Sequence, residues 1–476
     1  MAGKPIQKVF LVVPPTGLYI REDRCQTPIK HMVTVELRPP VDLLYAAAAF
    51  QQAGADCRLV DYPGEKKNVA DLFADIREFG AEIVVLSITT PGFQKDMEVA
   101  ARIKESLPAV LLGAKGAHFN TLDVVSLEEN PALDFVFRGE FEPACREIAE
   151  GKPWGEILGL TFRAPNDPKE VIRNPDRPFV EDLDSIPFPA RGLANNSLYR
   201  RPDTGEMQTT LVTNRGCPFN CVYCLANQVA GRRNRTRSVE NILAEIEECV
   251  NQFGIRSFLF RSDLFTARRD WVLDLCREIQ KRGLDISWSC NSRVDTLDPE
   301  MLVEMKRAGC WIIAFGIESG SQEMLDHIGK KTDLDTAREA LGMTRRAGVL
   351  SSIYFLVGLP WETPETLRAN EKFAREIDPD ILEVFYAYPF PGTNLYEQAV
   401  RDGLLEPGEI PREAYDRPAM PSLRLSMEEL SEARAHALKD FYLQPHVVFR
   451  TLLRSRSLRE FFNYVRYGWR QLKEFL

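Results

Sequence analysis

Three cysteines crowd into eight residues of this chain, in the stretch Asn214-Arg215-Gly216-Cys217-Pro218-Phe219-Asn220-Cys221-Val222-Tyr223-Cys224. Thiolates are the usual ligands of iron–sulfur clusters, and four irons ordinarily take four of them. A compact loop offering three leaves one iron uncapped. An open coordination position is where a substrate can bind, as at catalytic zinc. Two other readings of the trio stand beside this one. A structural zinc site needs a fourth ligand, and the nearest further cysteine is Cys249. Unrelated buried thiols need no shared spacing. The remaining cysteines (Cys25, Cys57, Cys145, Cys276, Cys290 and Cys310) are scattered.

A reactive loop has to be carried by something rigid. From residue 206 to about 400, apolar runs alternate with amphipathic stretches. Strands are expected at Thr209–Thr213, Ser257–Phe260, Ile286–Cys290, Trp311–Gly316, Ser352–Gly358 and Ile381–Tyr388. Helical patterns separate them, notably at Val239–Phe253, Trp271–Lys281, Pro299–Ala308, Thr332–Ala347 and Thr363–Ile377. Six such units predict a partial barrel of parallel strands, a (β/α)6 arrangement with its chemistry on loops at the strand carboxyl ends. The cysteine loop follows the first of these strands. Later strand ends carry Asp263, Arg293 and Glu318. An arginine in such a place can clamp a carboxylate through two parallel hydrogen bonds.

Residues 1–150 alternate in the same way, with strands expected at Lys8–Pro14, Cys57–Tyr62, Glu82–Thr89, Ala109–Gly113 and Asp134–Gly139. This predicts a doubly wound, Rossmann-like domain whose ligand binds beyond the strand carboxyl ends. Residues 151–205 read as a proline-rich surface connector, and residues 401–476 as a helical region. The last thirty residues are basic and interleaved with aromatics. Either they pack on the barrel with a solvated basic face, or they lie on an anionic membrane surface.

Composition bounds the rest. With 476 residues, 44% hydrophobic and 27% charged, the chain can bury large cores. A net charge of -9 argues against a nucleic-acid platform. A membrane-spanning run and a signal-peptide pattern are both missing, so a reducing cytoplasm is expected, with peripheral membrane contact through the tail as an addition.

The cysteine spacing, three residues and then two with an aromatic before the last thiol, resembles the radical S-adenosylmethionine superfamily. Taken with the first domain, Gly316-Ile317-Glu318-Ser319-Gly320-Ser321 and Pro389-Phe390-Pro391-Gly392-Thr393, the chain looks like the cobalamin-dependent class over residues 5 to 400. That resemblance implies a [4Fe-4S] cluster on Cys217, Cys221 and Cys224. It places S-adenosylmethionine against Tyr223, Asp263, Arg293 and Glu318, and cobalamin against Thr89, Thr90, Gly113, His118, Gly139 and Glu140. Related layouts tend to carry two acids after the second strand, and this chain keeps only Asp263. The first domain has no Asp-x-His-x-x-Gly stretch, so the resemblance does not supply a histidine below the cobalt.

The implied reaction is methyl transfer to an unactivated carbon. A deoxyadenosyl radical would take a hydrogen, and a second S-adenosylmethionine would renew the methyl carrier. Radical cyclisation or oxidation without methylation is the alternative inside the family. A non-catalytic cluster or cobalamin sensor is the alternative outside it. Methylthiotransferases share a similar barrel but need a second cluster, and Cys25, Cys57 and Cys145 lie too far apart to hold one. The expected partners are a small-molecule, lipid or isoprenoid substrate and an electron donor such as flavodoxin or ferredoxin.

Overall fold

The computed structural model describes residues 4–22, 25–28, 37–411, 417–455, 457, 458, 460–463, 465 and 466. The chain folds into two compact units that are interleaved in sequence. The first holds Leu37–Leu198 together with the N-terminal strands and Leu225–Arg235. The second holds Tyr199–Cys224 and everything from Thr236 onward.

The first unit is built on β1 (Lys8–Val13), a short antiparallel hairpin of β2 (Tyr19–Glu22) and β3 (Cys25–Pro28), then β4 (Asp56–Asp61), β5 (Ile83–Ser87), β6 (Leu111–Lys115) and β7 (Phe135–Phe137). Apart from the hairpin these strands run parallel in the order β4-β1-β5-β6-β7. Two more strands, β8 (Leu160–Arg163) and β9 (Val171–Arg173), extend the sheet antiparallel. The stretch expected to be a connector therefore contributes to the first sheet. Successive side chains of a strand point to opposite faces. Val9 and Leu11 accordingly enter one apolar core and Phe10 and Val12 another, the pattern of a sheet covered on both sides. Local signals end the helices cleanly. Asn68 and Asp71 form a capping box at the start of Val69–Phe79, and left-handed Gly80 closes it.

The second unit contains β10 (Gln208–Val212), β13 (Ser257–Arg261), β14 (Ser287–Ser292), β15 (Cys310–Glu318), β16 (Leu350–Val357) and β17 (Ile381–Tyr386), all parallel and in sequence order. The two dipeptide strands β11 (Asn214–Arg215) and β12 (Arg235–Thr236) flank the cysteine loop along the chain. All six expected barrel strands are present. Trp288 is fully buried at the centre of the core, stacked on Phe260 at 4.7 Å, with its indole N–H on the Ala308 carbonyl at 2.7 Å. The chain after 400 is helical at Met427–Tyr442 and Pro445–Leu453. Among the described residues, no helix is long and apolar enough to cross a membrane.

Candidate active site

The cysteine loop leaves the carboxyl end of β10 and is held mainly through its backbone. Asn214 bridges to the loop after β13: its side-chain carbonyl accepts from the Asp263 N–H at 3.1 Å and its amide donates to the Leu264 carbonyl at 3.1 Å. Asp263 in turn accepts from the Gly216 N–H. The Val222 N–H donates to the Ile328 carbonyl at 3.1 Å, and the Val222 carbonyl accepts from the Leu395 N–H at 2.9 Å. None of Cys217, Cys221 and Cys224 is in a disulfide, and all three are half-buried. Among the described residues, no three Cys, His, Asp or Glu groups converge where a single metal ion could sit. Three thiolates from one loop are the donor set of an iron–sulfur cluster with one iron left open.

Charged side chains from three later segments gather beside Cys221. Burial pushes its thiol up, Lys330 pulls it down, Cys224 and Glu318 raise it, and Arg293 lowers it. Lys330 and Glu318 form a buried ion pair at 2.8 Å, and the Tyr223 hydroxyl also donates to Glu318. Glu318 sits at φ +75°, a backbone region that ordinary residues adopt at a cost. Gly316 leaves the room this requires, because a Cβ there would lie 2.3 Å from the Glu318 carboxylate and 3.1 Å from the Lys330 ammonium.

Arg293 lies over the Phe219 ring at 3.7 Å and donates to the Lys331 carbonyl at 3.3 Å. The carboxylate it clamps is that of Asp295, at 2.8 and 2.7 Å. Asp263 and Arg293 thus position the loop, Asp263 through backbone amides and Arg293 through the Phe219 ring.

The loop after β16 is held by Glu362, which accepts from the Gly358 and Leu359 N–H groups. Burial raises its carboxyl from the ordinary 4.5 to about 8, against the opposing pull of those two donors. The folded protein therefore keeps this proton where the unfolded chain has lost it. The contribution of Glu362 to stability, a few kcal/mol, is full below about 4.5 and is lost as pH rises through about 8. Glu362→Gln keeps an acceptor for both amides and should flatten that slope in urea titrations run across the window. An unchanged slope would show that Glu362 is not its source.

In the first unit, β1, β4 and β5 end around a cleft lined by Leu18, Arg21, Pro40, Asp61 and Ser87 among others. The chain passes from β1 to β4 on one side and to β5 on the other, so this is the switch point where doubly wound sheets take ligands. The six expected cofactor positions are distributed unevenly. Thr89 and Thr90 are buried, and the Thr89 hydroxyl accepts from the Gly92 N–H at 3.3 Å. Gly113 is filled from inside the core, since a Cβ would lie 2.1 Å from the Phe135 ring. Gly139 has φ +65° and open space where a side chain would go. Both Glu140 oxygens are taken by Arg235, at 2.8 and 2.9 Å.

His118 is buried, stacked on Phe93 at 4.2 Å, with Nε2 3.1 Å from the Ser126 hydroxyl. Burial drives its pKa down to about 3, so the ring is neutral.

The Radical SAM superfamily model matches residues 211–374, and the B12 binding domain model matches residues 35–149. An uncharacterized methyltransferase of Pyrococcus horikoshii is 31% identical over 451 residues, covering 94% of this chain and 95% of that one. This chain belongs to the radical S-adenosylmethionine superfamily, in the branch that carries a B12-binding domain. An anaerobic magnesium-protoporphyrin IX monomethyl ester cyclase of Cereibacter sphaeroides is 28% identical over 85% of this chain and 67% of its own. The solved structure of OxsB, a cobalamin-dependent S-adenosylmethionine radical enzyme with aqua-cobalamin and S-adenosylmethionine bound, superposes with a TM-score of 0.73. It is 17% identical and covers 98% of this chain and 72% of that one, a likeness of fold.

A radical S-adenosylmethionine enzyme of this branch uses a [4Fe-4S] cluster, S-adenosylmethionine and cobalamin. The thiol loop fits the cluster by donor chemistry. His118 stacks on Phe93, abuts Phe119 and has Nε2 on the Ser126 hydroxyl, while its buried Nδ1 has no hydrogen-bond partner. The small size of Gly113 serves Phe135. Gly113→Ala should therefore cost about 1–3 kcal/mol in urea unfolding, with Phe135→Leu restoring part of it. If Gly113→Ala leaves stability unchanged, the packing account is wrong.

Sequence reasoning missed Lys330. A lysine three residues beyond a short helix gives no signal of its own, and only the return of the chain after Gln322–His327 sets it against Glu318.

Proposed function

We propose that this chain transfers a methyl group from S-adenosylmethionine to a carbon atom that carries no activating group. The observation that carries this reading is the cysteine loop sharing one strand-end face with the Glu318–Lys330 pair, in a chain that also has a B12-binding domain. The P. horikoshii methyltransferase, similar over nearly its whole length, points the same way. When bound, the cluster supplies the electron that splits the sulfonium, and cobalamin supplies a methyl carrier.

The chain's own residues bind and orient. Lys330 offers a cation for the carboxylate of S-adenosylmethionine, and Glu318 an acceptor for its amino group or ribose hydroxyls. The Tyr223 hydroxyl stays protonated, pushed up by burial and by the neighbouring charges of Glu318, Cys221 and Cys224. Asn214, Asp263 and Arg293 fix the loop so that its thiols reach one group together.

The cyclase of C. sphaeroides favours a second reading, radical chemistry without net methylation. One measurement separates the two. The protein is reconstituted anaerobically with iron, sulfide, cobalamin and a low-potential reductant, then given S-adenosylmethionine labelled in its methyl group. Methyl transfer yields deoxyadenosine and S-adenosylhomocysteine together, cyclisation yields deoxyadenosine alone, and a sensor yields neither. Deoxyadenosine without S-adenosylhomocysteine would remove the methyltransferase reading.

A further inference from the structure

The C-terminal helices turn an apolar face to solvent. Pro445–Leu453 is fastened to the second unit by buried Val447, by Arg450 on Asp378 and on the Pro379 carbonyl, both at 2.6 Å, and by Arg454 on Asp380. Its other side carries Phe449, 65% exposed, and Leu453, 82% exposed, one helical turn apart. The helical turns that follow repeat the arrangement. Leu458, Phe461, Phe462 and Val465 fall at spacings of three, four and seven, a single stripe, and Leu458 and Phe462 are 79% and 65% exposed. Asn463 donates to the Asp203 carbonyl at 2.8 Å. Among the described residues, eight of the twelve large apolar side chains left exposed lie between 443 and 465. Single exposed apolar residues are ordinary, but a contiguous patch marks an interaction surface.

Charge chooses the partner. Residues 447–476 carry seven Lys or Arg, of which Arg450 and Arg454 are taken by Asp378 and Asp380; the other five stand against two Glu, a local excess of +3 in a chain whose total is -9. A second copy would bring this basic segment against itself. An anionic surface with an apolar layer beneath it satisfies both the stripe and the charge. We propose that this segment lies on the surface of a bilayer containing acidic phospholipid, with Phe449, Leu453, Leu458 and Phe462 below the headgroups. This docks the enzyme at the membrane without spanning it. It is independent of whether the reaction is methylation.

The test uses full-length protein and vesicles of phosphatidylcholine with or without phosphatidylglycerol. Flotation with the anionic vesicles should exceed that with neutral ones by at least ~10-fold and should fall in high salt. The triple variant Phe449→Ser, Leu453→Ser, Phe462→Ser should lose flotation while keeping the wild-type melting temperature and iron content, because these side chains lie outside the core. Arg456→Gln with Arg459→Gln and Arg470→Gln should lose the preference for anionic lipid. Equal recovery with both vesicles, or flotation untouched by the serine variant, overturns the proposal. So does a wild-type dimer that the serine variant converts to monomer, since the face would then belong to a second copy.

Discussion

Alanine at Cys217, Cys221 and Cys224 together leaves a folded chain from which iron and acid-labile sulfide are lost. Reductive cleavage of S-adenosylmethionine falls by more than the ~100-fold that even an outer-shell substitution can cost a metal site. The fold survives because the loop is held by groups the substitution does not touch: the two backbone bonds of Val222, the Asn214 bridge and the Gly216 amide on Asp263. Circular dichroism and the melting temperature report the first part, metal analysis and deoxyadenosine assay the second. A triple variant that still binds iron and cleaves the nucleotide at the native rate refutes the assignment of the cluster.

Lys330→Met comes next in expected size. It strands the Glu318 carboxylate in a buried position next to Cys221, and loss of one partner from a buried pair costs about 3–5 kcal/mol. Urea titration should show that loss, with Lys330→Arg recovering part of it. The double variant Lys330→Met with Glu318→Gln removes both charges and should regain most of the stability. It should not regain affinity for S-adenosylmethionine, measured by equilibrium binding to the reconstituted protein. Recovery of both together would reduce the pair to a structural role.

The difference between these residues shows what a sequence can reveal. The cysteine trio is local, and its spacing carries the chemistry before any fold is known. The barrel strands are apolar runs of five to nine residues between amphipathic helices, so all six could be placed from periodicity. Strands β8 and β9 could not, since four and three residues amid proline, glycine and charge give too short a pattern. The partner of Glu318 lies twelve residues on, and that of Glu140 ninety-five. Neither pairing follows from spacing. Arg293 was legible as a carboxylate clamp, but the carboxylate proved to be its near neighbour Asp295. Gly113 matches one of the family's cofactor positions, yet the atoms that require a glycine there belong to Phe135, a contact made only when β6 and β7 pair.

The Glu140–Arg235 pair also bears on how such proteins diversify. Arg235 reaches the first unit from beyond the cysteine loop, in a segment (Leu225–Arg235) that the chain supplies only after it has already begun the second sheet. A genetic crossover near residue 199 would look like a clean join between halves, but it would hand the N-terminal piece a buried carboxylate whose counter-charge is encoded downstream. Any exchange of sequence between residues 140 and 235 therefore parts that carboxylate from the guanidinium that neutralises it.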